Sequence, residues 1–140
     1  MSNNEIQLIK MGVAQTGDTI KDYWQTPPDM LSIIRAYFYG TYFDPCPVNP
    51  SFDGLTVMWE NYPHIFINPP FSQYSLWVKK GLLYTETTKQ IWISHHNHDV
   101  KWFKSLREHS LCEVHLYNRV MFIDPISGLA KSTAIGKCQT

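Results

Sequence analysis

The apolar positions of this chain follow two kinds of spacing, one typical of strands and one typical of amphipathic helices. Segments of the two kinds alternate along the chain, which predicts an α/β fold. Four short runs rich in aromatic or β-branched residues are candidate strands: residues 41–44, 64–67, 90–94 and 112–117. Three segments have the spacing of amphipathic helices: residues 26–38, 73–86 and 99–109. Because the run at 64–67 is continuously apolar, we expect it to lie in the centre of a parallel sheet.

The first two helices also have predictable starts and buried faces. Thr26 has a hydroxyl group that can cap the first helix, and Pro27 or Pro28 suits its first turn. The second helix is expected to start at Gln73. The residues expected to face the core on these two helices are Leu31, Ile34, Phe38, Leu76 and Leu83, with Trp77 as a further candidate.

The C-terminal part of the chain predicts a β-hairpin at the edge of the sheet. Two β-prone runs flank the sequence DPISG at residues 124–128, which is rich in turn-forming residues. The predicted architecture is therefore a small α/β sheet with a parallel centre and an antiparallel C-terminal hairpin. A length of 140 residues suits one domain, which we place at residues 23–140, after a polar and flexible arm at residues 1–22.

Composition and charge argue against several classes of protein, including membrane-spanning and secreted proteins. The formal net charge is zero, which argues against tight non-specific binding of nucleic acid but permits an enzyme that contacts it briefly. No apolar run approaches the roughly 20 residues that span a membrane, and the N-terminus lacks the apolar core of a signal peptide. Three widely spaced cysteines, Cys46, Cys112 and Cys138, are typical of reduced thiols. We therefore expect a soluble, cytoplasmic protein.

Polar residues follow three of the predicted strands at the points where those strands end. Asp44 ends the run at 41–44, and Asn68 directly follows the run at 64–67. The sequence HHNHD, residues 95–99, follows the run at 90–94. Because ligands of parallel α/β sheets bind beyond the carboxyl ends of the strands, we expect these residues to line one cleft.

The sequence Asn68-Pro69-Pro70-Phe71 has the chemistry of a receptor for an aromatic amine. The two prolines remove two backbone N–H donors and fix the backbone angle φ. What remains is rich in acceptors, namely the side-chain oxygen and carbonyl of Asn68 and the carbonyl of Pro69, and Phe71 offers a face for stacking. Accepting both hydrogens of an amine directs its electron pair toward an electrophile. A proline-terminated strand with a capping asparagine would explain the same residues without a function.

The sequence NPPF after an apolar strand resembles motif IV, (D/N/S)PP(Y/F), of S-adenosylmethionine-dependent amino-methyltransferases. Five segments resemble, in order, the layout of the small phage-type DNA N6-adenine methyltransferases: YWQTPPDML, YFDPCPVNP, DGLTVMWENYPHIFINPPFSQYSLWVKKG, IWISHHNHDVKWF and YNRVMFIDP. The resemblance covers residues 23–137. It implies a Rossmann-like methyltransferase sheet of reduced size and a transfer of methyl groups to the N6 amino group of adenine in DNA.

The resemblance also implies roles for individual residues. Asn68 and the carbonyl of Pro69 would bind the adenine amino group, with Pro70 as part of the same corner and Phe71 stacked on the flipped base. The cofactor S-adenosylmethionine would be bound by Trp24, Thr26, Pro27, Asp44, Pro45, Cys46 and Asp53. The duplex DNA would be contacted by Ser72, Tyr74, Lys79 and Arg119. The implied reaction is a direct transfer from the sulfonium, without a covalent enzyme intermediate and without a metal.

Two other interpretations stay open. No glycine follows Asp44 in DPCPVNP, where the family has a glycine-rich cofactor loop, so the fold would also suit a catalytically inactive protein that binds DNA or another protein. Alternatively, an enzyme of this type would modify RNA or protein glutamine, because NPP(Y/F) also occurs in methyltransferases that act on those acceptors. A single assay of cofactor binding separates the first alternative from the enzyme.

Other polar groups have weaker claims to a function. Adjacent histidines in a loop rarely bind one metal ion together, so HHNHD is expected to be a cleft wall or a solvated loop. Lys79 and Lys80 are candidate phosphate contacts, although at least one should lie on a solvated helix face. Cys46 follows Asp44-Pro45 as in the Pro-Cys of cytosine-C5 methyltransferases, but the other motifs of that family are missing, so we expect no nucleophile there.

Overall fold

The computed structural model describes residues 24–47, 50–95, 97, 99–116, 120–124 and 127–129. The helices and strands in chain order are α1 (Pro28–Tyr37), β1 (His64–Ile67), α2 (Tyr74–Leu82), β2 (Lys89–Trp92) and α3 (Lys101–Glu108). Short 3-10 helices precede β1 and α2 at Trp59–Asn61 and Phe71–Gln73. The predicted α/β class is confirmed by this order. The predicted arm at residues 1–22 lies outside the described residues.

Strand β1 has neighbours on both sides. It pairs in parallel with β2, from His64 opposite Lys89 to Ile67 opposite Trp92. On its other side Phe43 forms an isolated parallel bridge, in which the Phe43 amide donates to the His64 carbonyl at 2.9 Å. The predicted run at 41–44 is thus reduced to one bridged residue, because the proline that follows Asp44 has no N–H to continue the ladder.

Both faces of β1 are buried, and each face meets a different helix. Phe66 packs with Ile34 and Phe38 of α1 in one apolar cluster. Ile65 and Ile67 point to the opposite face and pack in a second cluster that contains Trp59 and Trp77. This alternation follows from the two-residue period of a strand. Helices α1 and α2 therefore cover opposite faces of the parallel pair.

The buried face of α1 agrees with its sequence, but its start does not. Ile34 and Phe38 are buried, and Leu31 packs at the edge of their cluster. The residue that caps α1 is Pro27, with no side-chain cap. The prediction that the Thr26 hydroxyl caps this helix is therefore wrong, and that hydroxyl instead has a partner in the candidate site.

Helix α2 turns a different face to the core than the one expected from its leucines. Its buried residues are Tyr74, Trp77, Val78 and Gly81. Leu76 is 52% exposed and Leu83 is 74% exposed, so the prediction that these two leucines face the core is wrong. Trp77 is buried as expected. The large rings of Tyr74 and Trp77 fill the space beside the sheet, and this leaves the leucines outside.

The predicted strand at 112–117 is wrong for the residues that the structure describes there. Residues 112–116 form no strand, and Leu111 and Val114 are exposed. The carboxylate of Glu113 pairs with the guanidinium of Arg107, at 3.1 Å, in the last turn of α3. Residues 112–116 therefore do not join the sheet, and Glu113 forms an ion pair with α3.

The predicted C-terminal hairpin stays a prediction, because its second arm lies outside the described residues. The first arm forms an antiparallel bridge between Ile123 and Gln25. A turn follows, in which the amide of Gly128 donates to the carbonyl of Asp124 at 2.8 Å. Within the described part of the chain, no helix has the length and apolar character needed to cross a bilayer.

The loop between Phe43 and β1 depends on a close backbone approach at Gly54. A Cβ atom at Gly54 would lie 2.0 Å from the carbonyl oxygen of Pro45 and 2.8 Å from the Trp77 ring. The carbonyl of Gly54 also accepts a hydrogen bond from the buried indole of Trp59 at 2.9 Å. Any side chain at this position must push the segment at Pro45 away from α2.

We therefore expect Gly54→Ala to destabilise the protein by about 3 kcal/mol, at the upper end of the cost of overpacking. Gly128→Ala is the control, because Gly128 has a φ of +70° but no atom within 4 Å of its Cβ position. That control should lose only the left-handed penalty of about 1 to 2 kcal/mol. Urea unfolding followed by circular dichroism measures both variants. A Gly54→Ala loss no larger than the control would contradict the close approach.

Candidate active site

Three segments bring polar residues to one edge of the sheet. Because β1, β2 and the bridged Phe43 run parallel, the residues that follow them lie at the same carboxyl edge. These residues are Asp44 after Phe43, Asn68 after β1, and Ser94 and His95 beyond β2. The amide of Ile93 still donates to the carbonyl of Ile67 at 3.0 Å, so the two chains stay paired up to Asn68.

The side chain of Asn68 is fixed by a residue far away in the sequence. Its amide nitrogen Nδ2 donates to the hydroxyl oxygen of Thr26 at 3.0 Å. Thr26 is 9% exposed, so little water competes for this bond. The oxygen Oδ1 of Asn68 has no partner among the described residues. The Asn68 amide thus has one occupied end and one available acceptor.

The two prolines after Asn68 shape an edge without donors. Pro69 is buried, and the carbonyl of Pro70 accepts a hydrogen bond from the Gln73 amide at 3.0 Å, which starts the 3-10 helix at Phe71–Gln73. No backbone amide of the described chain donates to the carbonyls of Asn68 or Pro69. The acceptors expected at this corner are therefore not consumed by the backbone around them.

Phe71 lies in an aromatic cluster that also contains Tyr74, His95, Trp102 and Phe122. The Phe71 ring is half-buried and has centroid distances of 5.9 Å to Tyr74, 5.4 Å to His95 and 6.2 Å to Phe122. Trp102 of α3 stacks on Tyr74 at 4.6 Å. This cluster supports Phe71 from the protein side and attaches α3 to the corner.

Tyr74 has a structural position that leaves no room for the predicted contact with DNA. It is 1% exposed, and its hydroxyl donates to the carbonyl of Ile93 at 2.5 Å. That bond connects the first turn of α2 to the end of β2. Tyr74 is consequently a support of the corner.

His95 belongs to the HHNHD segment, for which the sequence predicted a place in the cleft wall or a solvated loop but no specific role. Its ring meets Phe71, Tyr74 and Trp102 edge-on. Its Nδ1 atom is buried and has no hydrogen-bond partner among the described residues. Burial lowers the pKa of His95, so the imidazole is neutral at neutral pH. Its position directly beyond β2 was the one signal in the sequence that pointed to it.

Asp44 is a partly buried carboxylate without a cationic partner in the described residues. Its Oδ1 accepts a hydrogen bond from the Cys46 amide at 2.8 Å. Burial raises the pKa of Asp44 from 3.8 to about 6, against the lowering effect of that hydrogen bond. Burial, with the nearby charges of Asp44 and Asp53, raises the pKa of the Cys46 thiol. The thiol therefore stays protonated, consistent with the expectation that it is no nucleophile.

The other predicted site residues have diverse positions. Trp24 packs against the cluster of Phe66, and Pro27 caps α1. Pro45 is fully buried, whereas Asp53 is exposed and accepts a hydrogen bond from the Leu55 amide at 2.9 Å. Ser72 and Lys79 are exposed. Lys80 lies over the Tyr84 ring at 5.3 Å, and Arg119 lies outside the described residues.

The HHNHD segment shows no metal site in the part that the structure describes. Among the described residues, no three side chains of His, Cys, Asp or Glu come together in a way that would hold an ion. His96 and His98 lie outside that part of the chain. Cys46 and Cys112, the two cysteines that are described, are both free thiols.

Comparison with known proteins decides the family. The family model of DNA N-6-adenine-methyltransferase (Dam) matches residues 13–139. The chain belongs to the DNA N-6-adenine-methyltransferase (Dam) family. The match confirms the resemblance seen in the sequence, and it includes the whole candidate site and residues 13–22 of the predicted arm. No curated protein and no solved structure matched the chain. Membership in this family implies a methyltransferase.

The chemistry at Asp44 fits the cofactor that DNA methyltransferases generally use, S-adenosylmethionine. A sulfonium and an ammonium group make part of that molecule cationic. A buried carboxylate with no cation beside it in the described structure is a suitable partner, because a positive charge would offset the burial that raises the pKa of Asp44. Pro45 and Gly54 are in close backbone contact, so the segment after Asp44 is held by packing.

The raised pKa of Asp44 makes a prediction about stability. The folded protein binds the Asp44 proton more tightly than the unfolded chain does, since its pKa rises from 3.8 to about 6. Its favourable contribution is complete below about pH 4 and is lost as the pH rises through about 6. Asp44→Asn, which keeps the acceptor for the Cys46 amide, should raise the free energy of unfolding at pH 7 by about 3 kcal/mol. At pH 4 it should change little.

Asp53→Asn is a matched control for this experiment. Asp53 also accepts a hydrogen bond from an amide two residues later, but its side chain is exposed. The Asp53→Asn substitution should change the free energy of unfolding by less than about 0.5 kcal/mol at either pH, as is usual for surface positions. Denaturant titrations at the two pH values measure both variants. Equal effects of the two substitutions at pH 7 would show that burial of Asp44 does not penalise its charge.

Proposed function

We propose that this protein transfers a methyl group from S-adenosylmethionine to the N6 amino group of adenine in duplex DNA. The observation that carries the proposal is the side chain of Asn68. It stands directly after the central strand, with Nδ2 bound to Thr26 at 3.0 Å and Oδ1 available as an acceptor. Membership in the family supplies the acceptor class, DNA adenine.

The acceptors of the corner account for activation of the amine. An amino group attached to an aromatic ring is a weak nucleophile because its electron pair is delocalised. Asn68 Oδ1 and the carbonyl of Pro69 would each accept one N6 hydrogen, which localises the pair on nitrogen and directs it away from the corner. The N6–carbon bond forms as the carbon–sulfur bond breaks, the electron pair stays on sulfur, and one N6 proton then passes to solvent.

The aromatic cluster accounts for binding of the base. A target adenine must leave the base stack, at a cost of a few kcal/mol, and stacking on an aromatic side chain returns about 1–3 kcal/mol. Phe71 is the ring placed beside Asn68, and Tyr74, His95 and Phe122 hold it from behind. His95 adds a neutral polar group within the same wall.

The cofactor would be bound on the side of Asp44. When bound, S-adenosylmethionine supplies an electrophilic methyl group on a positively charged sulfur. Asp44 would hold the cationic part of the molecule. The family resemblance assigns binding of the cofactor also to Trp24, Thr26, Pro27, Pro45, Cys46 and Asp53.

The DNA would be held by few charges. Ser72 is exposed on the 3-10 helix directly after the corner, Lys79 is exposed in the last turn of α2, and Arg119 is the third candidate. Because the formal net charge is zero, we propose weak non-specific binding that depends on a small number of phosphate contacts. The salt dependence of DNA binding should accordingly be shallow.

Asn68→Ala is expected to remove the activity without unfolding the protein. Loss of an acceptor at the reacting amine should lower the single-turnover rate of methylation by at least about 100-fold, as for other preorganised polar groups at reacting atoms. Transfer of a tritiated methyl group to duplex DNA that lacks N6-methyladenine measures this rate. Asn61→Ala, at an exposed asparagine, is the control and should keep the wild-type rate. Wild-type transfer by Asn68→Ala would rule out this mechanism.

Binding of the cofactor should weaken at acidic pH. The free protein has an Asp44 pKa of about 6, so below that pH a cationic ligand must displace a proton. We expect the affinity for S-adenosylmethionine to fall by up to about tenfold per pH unit below 6, and we expect Asp44→Asn to bind weakly at every pH. Calorimetric titrations between pH 5 and 8 measure both. A pH-independent affinity of the wild type would contradict the role of Asp44.

The same titration distinguishes the enzyme from the inactive-fold alternative. Binding of S-adenosylmethionine and of its demethylated product at micromolar concentrations, followed by methylation of DNA, supports the enzyme. A well-folded wild type that binds neither compound would support a protein that binds DNA or another protein without catalysis. Parallel assays with RNA and with a glutamine-containing protein test the third interpretation.

A further inference from the structure

The amide of Asn68 can help the reaction in only one of its two orientations. Its oxygen accepts hydrogens from an amine, whereas its NH2 group faces the amine with hydrogens of its own. A rotation of the amide by half a turn exchanges these two ends at almost no change in shape. When Oδ1 faces the amine, the corner therefore needs an acceptor for Nδ2 on the other side of the amide.

We infer that Thr26 is the positioning residue that supports this orientation, because its hydroxyl oxygen accepts the hydrogen bond of Nδ2 while Oδ1 faces the amine. This inference rests on the function proposed above and assigns a new role within it. The Thr26 hydroxyl accepts the hydrogen bond of Asn68 Nδ2 at 3.0 Å, across 42 residues of sequence. When Oδ1 receives the adenine amine, Nδ2 must have an acceptor on its other side. The Thr26 oxygen is that acceptor.

The burial of Thr26 makes the contact decisive. Thr26 is 9% exposed, so water has little access to replace its oxygen if the hydroxyl is removed. Nδ2 would then be a partly buried donor without a partner, and such a group costs far more than an average hydrogen bond contributes. The productive orientation of the amide would therefore be destabilised.

This role differs from the one that the family resemblance assigns to Thr26. A residue that contacts S-adenosylmethionine would change the affinity for the cofactor when altered. A residue that acts through Asn68 would change the rate of methyl transfer and leave the affinity for the cofactor nearly unchanged. The two roles therefore predict opposite pairs of results.

Two substitutions separate the hydroxyl of Thr26 from its shape. Thr26→Val keeps the shape and loses the hydroxyl, whereas Thr26→Ser keeps the hydroxyl and loses a methyl group. We expect Thr26→Val to lower the single-turnover rate by roughly 10- to 100-fold, as for a buried polar group left without its partner. Thr26→Ser should stay within about threefold of the wild type, and both variants should keep the cofactor affinity within about twofold. Equal losses in the two variants, or a loss confined to cofactor affinity, would overturn the inference.

A double-mutant cycle with Asn68→Asp tests whether Thr26 acts through the amide. A carboxylate has no N–H donor, so removal of the Thr26 hydroxyl leaves no donor of this side chain without a partner. If Thr26 positions the amide, Thr26→Val should slow the Asn68→Asp enzyme by less than about threefold while slowing the Asn68 enzyme at least tenfold. The same fold loss in both backgrounds would assign Thr26 a role independent of Asn68.

Nuclear magnetic resonance provides a test that does not depend on activity. In 15N-labelled protein, the side-chain NH2 signals of Asn68 are identified by their absence in Asn68→Asp. We expect slow hydrogen exchange of these signals in the wild type and in Thr26→Ser, and exchange at least tenfold faster in Thr26→Val. Fast exchange in the wild type would overturn the hydrogen bond itself. A protected NH2 group in a wild type that methylates no DNA would instead overturn the proposed function and keep the contact.

Discussion

The burial of β1 on both of its faces is the constraint on which the rest of the structure depends. Phe66 on one face and Ile65 and Ile67 on the other each meet a separate apolar cluster. The strand also has hydrogen-bonded neighbours at both edges. Helix α1, helix α2 and the segment of Phe43 are therefore all placed relative to these few residues. The site begins at the first residue after this strand. The strand that is buried on both faces therefore positions the candidate catalytic residues.

The elements that could be predicted from the sequence are those whose apolar residues allow only one buried arrangement. The apolar run of β1 can only be buried, and the apolar face of α1 has a single direction. Helix α2 offered two faces, one with leucines and one with large rings. The sequence could not decide between them, because the choice depends on the space beside Trp59, which lies on the same face of the sheet as Trp77. The segment at 112–116 has a β-prone composition, but its polar side chains pair with α3, and a contact of this kind has no local signature.

The candidate site also has residues that could be predicted from the sequence and contacts that could not. Residue type and position were enough to select Asn68 and its prolines, since an amide followed by two prolines directly after a buried strand is chemically unusual. The partner of Asn68 was not predictable, because Thr26 is distant in sequence and looked like a helix cap. His95 was expected at the cleft, but its contacts were not predictable for a related reason, since its neighbours Phe71 and Trp102 come from two other segments. Such contacts appear only when the fold is known.

The absence of N–H groups at Pro69 and Pro70 has a consequence for fidelity. Every polar atom that the corner presents through its backbone is an acceptor. Guanine and thymine carry a carbonyl oxygen where adenine carries its amino group, so either base in this pocket would set oxygen against oxygen. That repulsion occurs after the base has left the duplex, and it needs no contact with neighbouring base pairs. Under the proposed function, the corner would thus reject guanine and thymine at the point of reaction, because the two proline nitrogens offer no hydrogen to their oxygens.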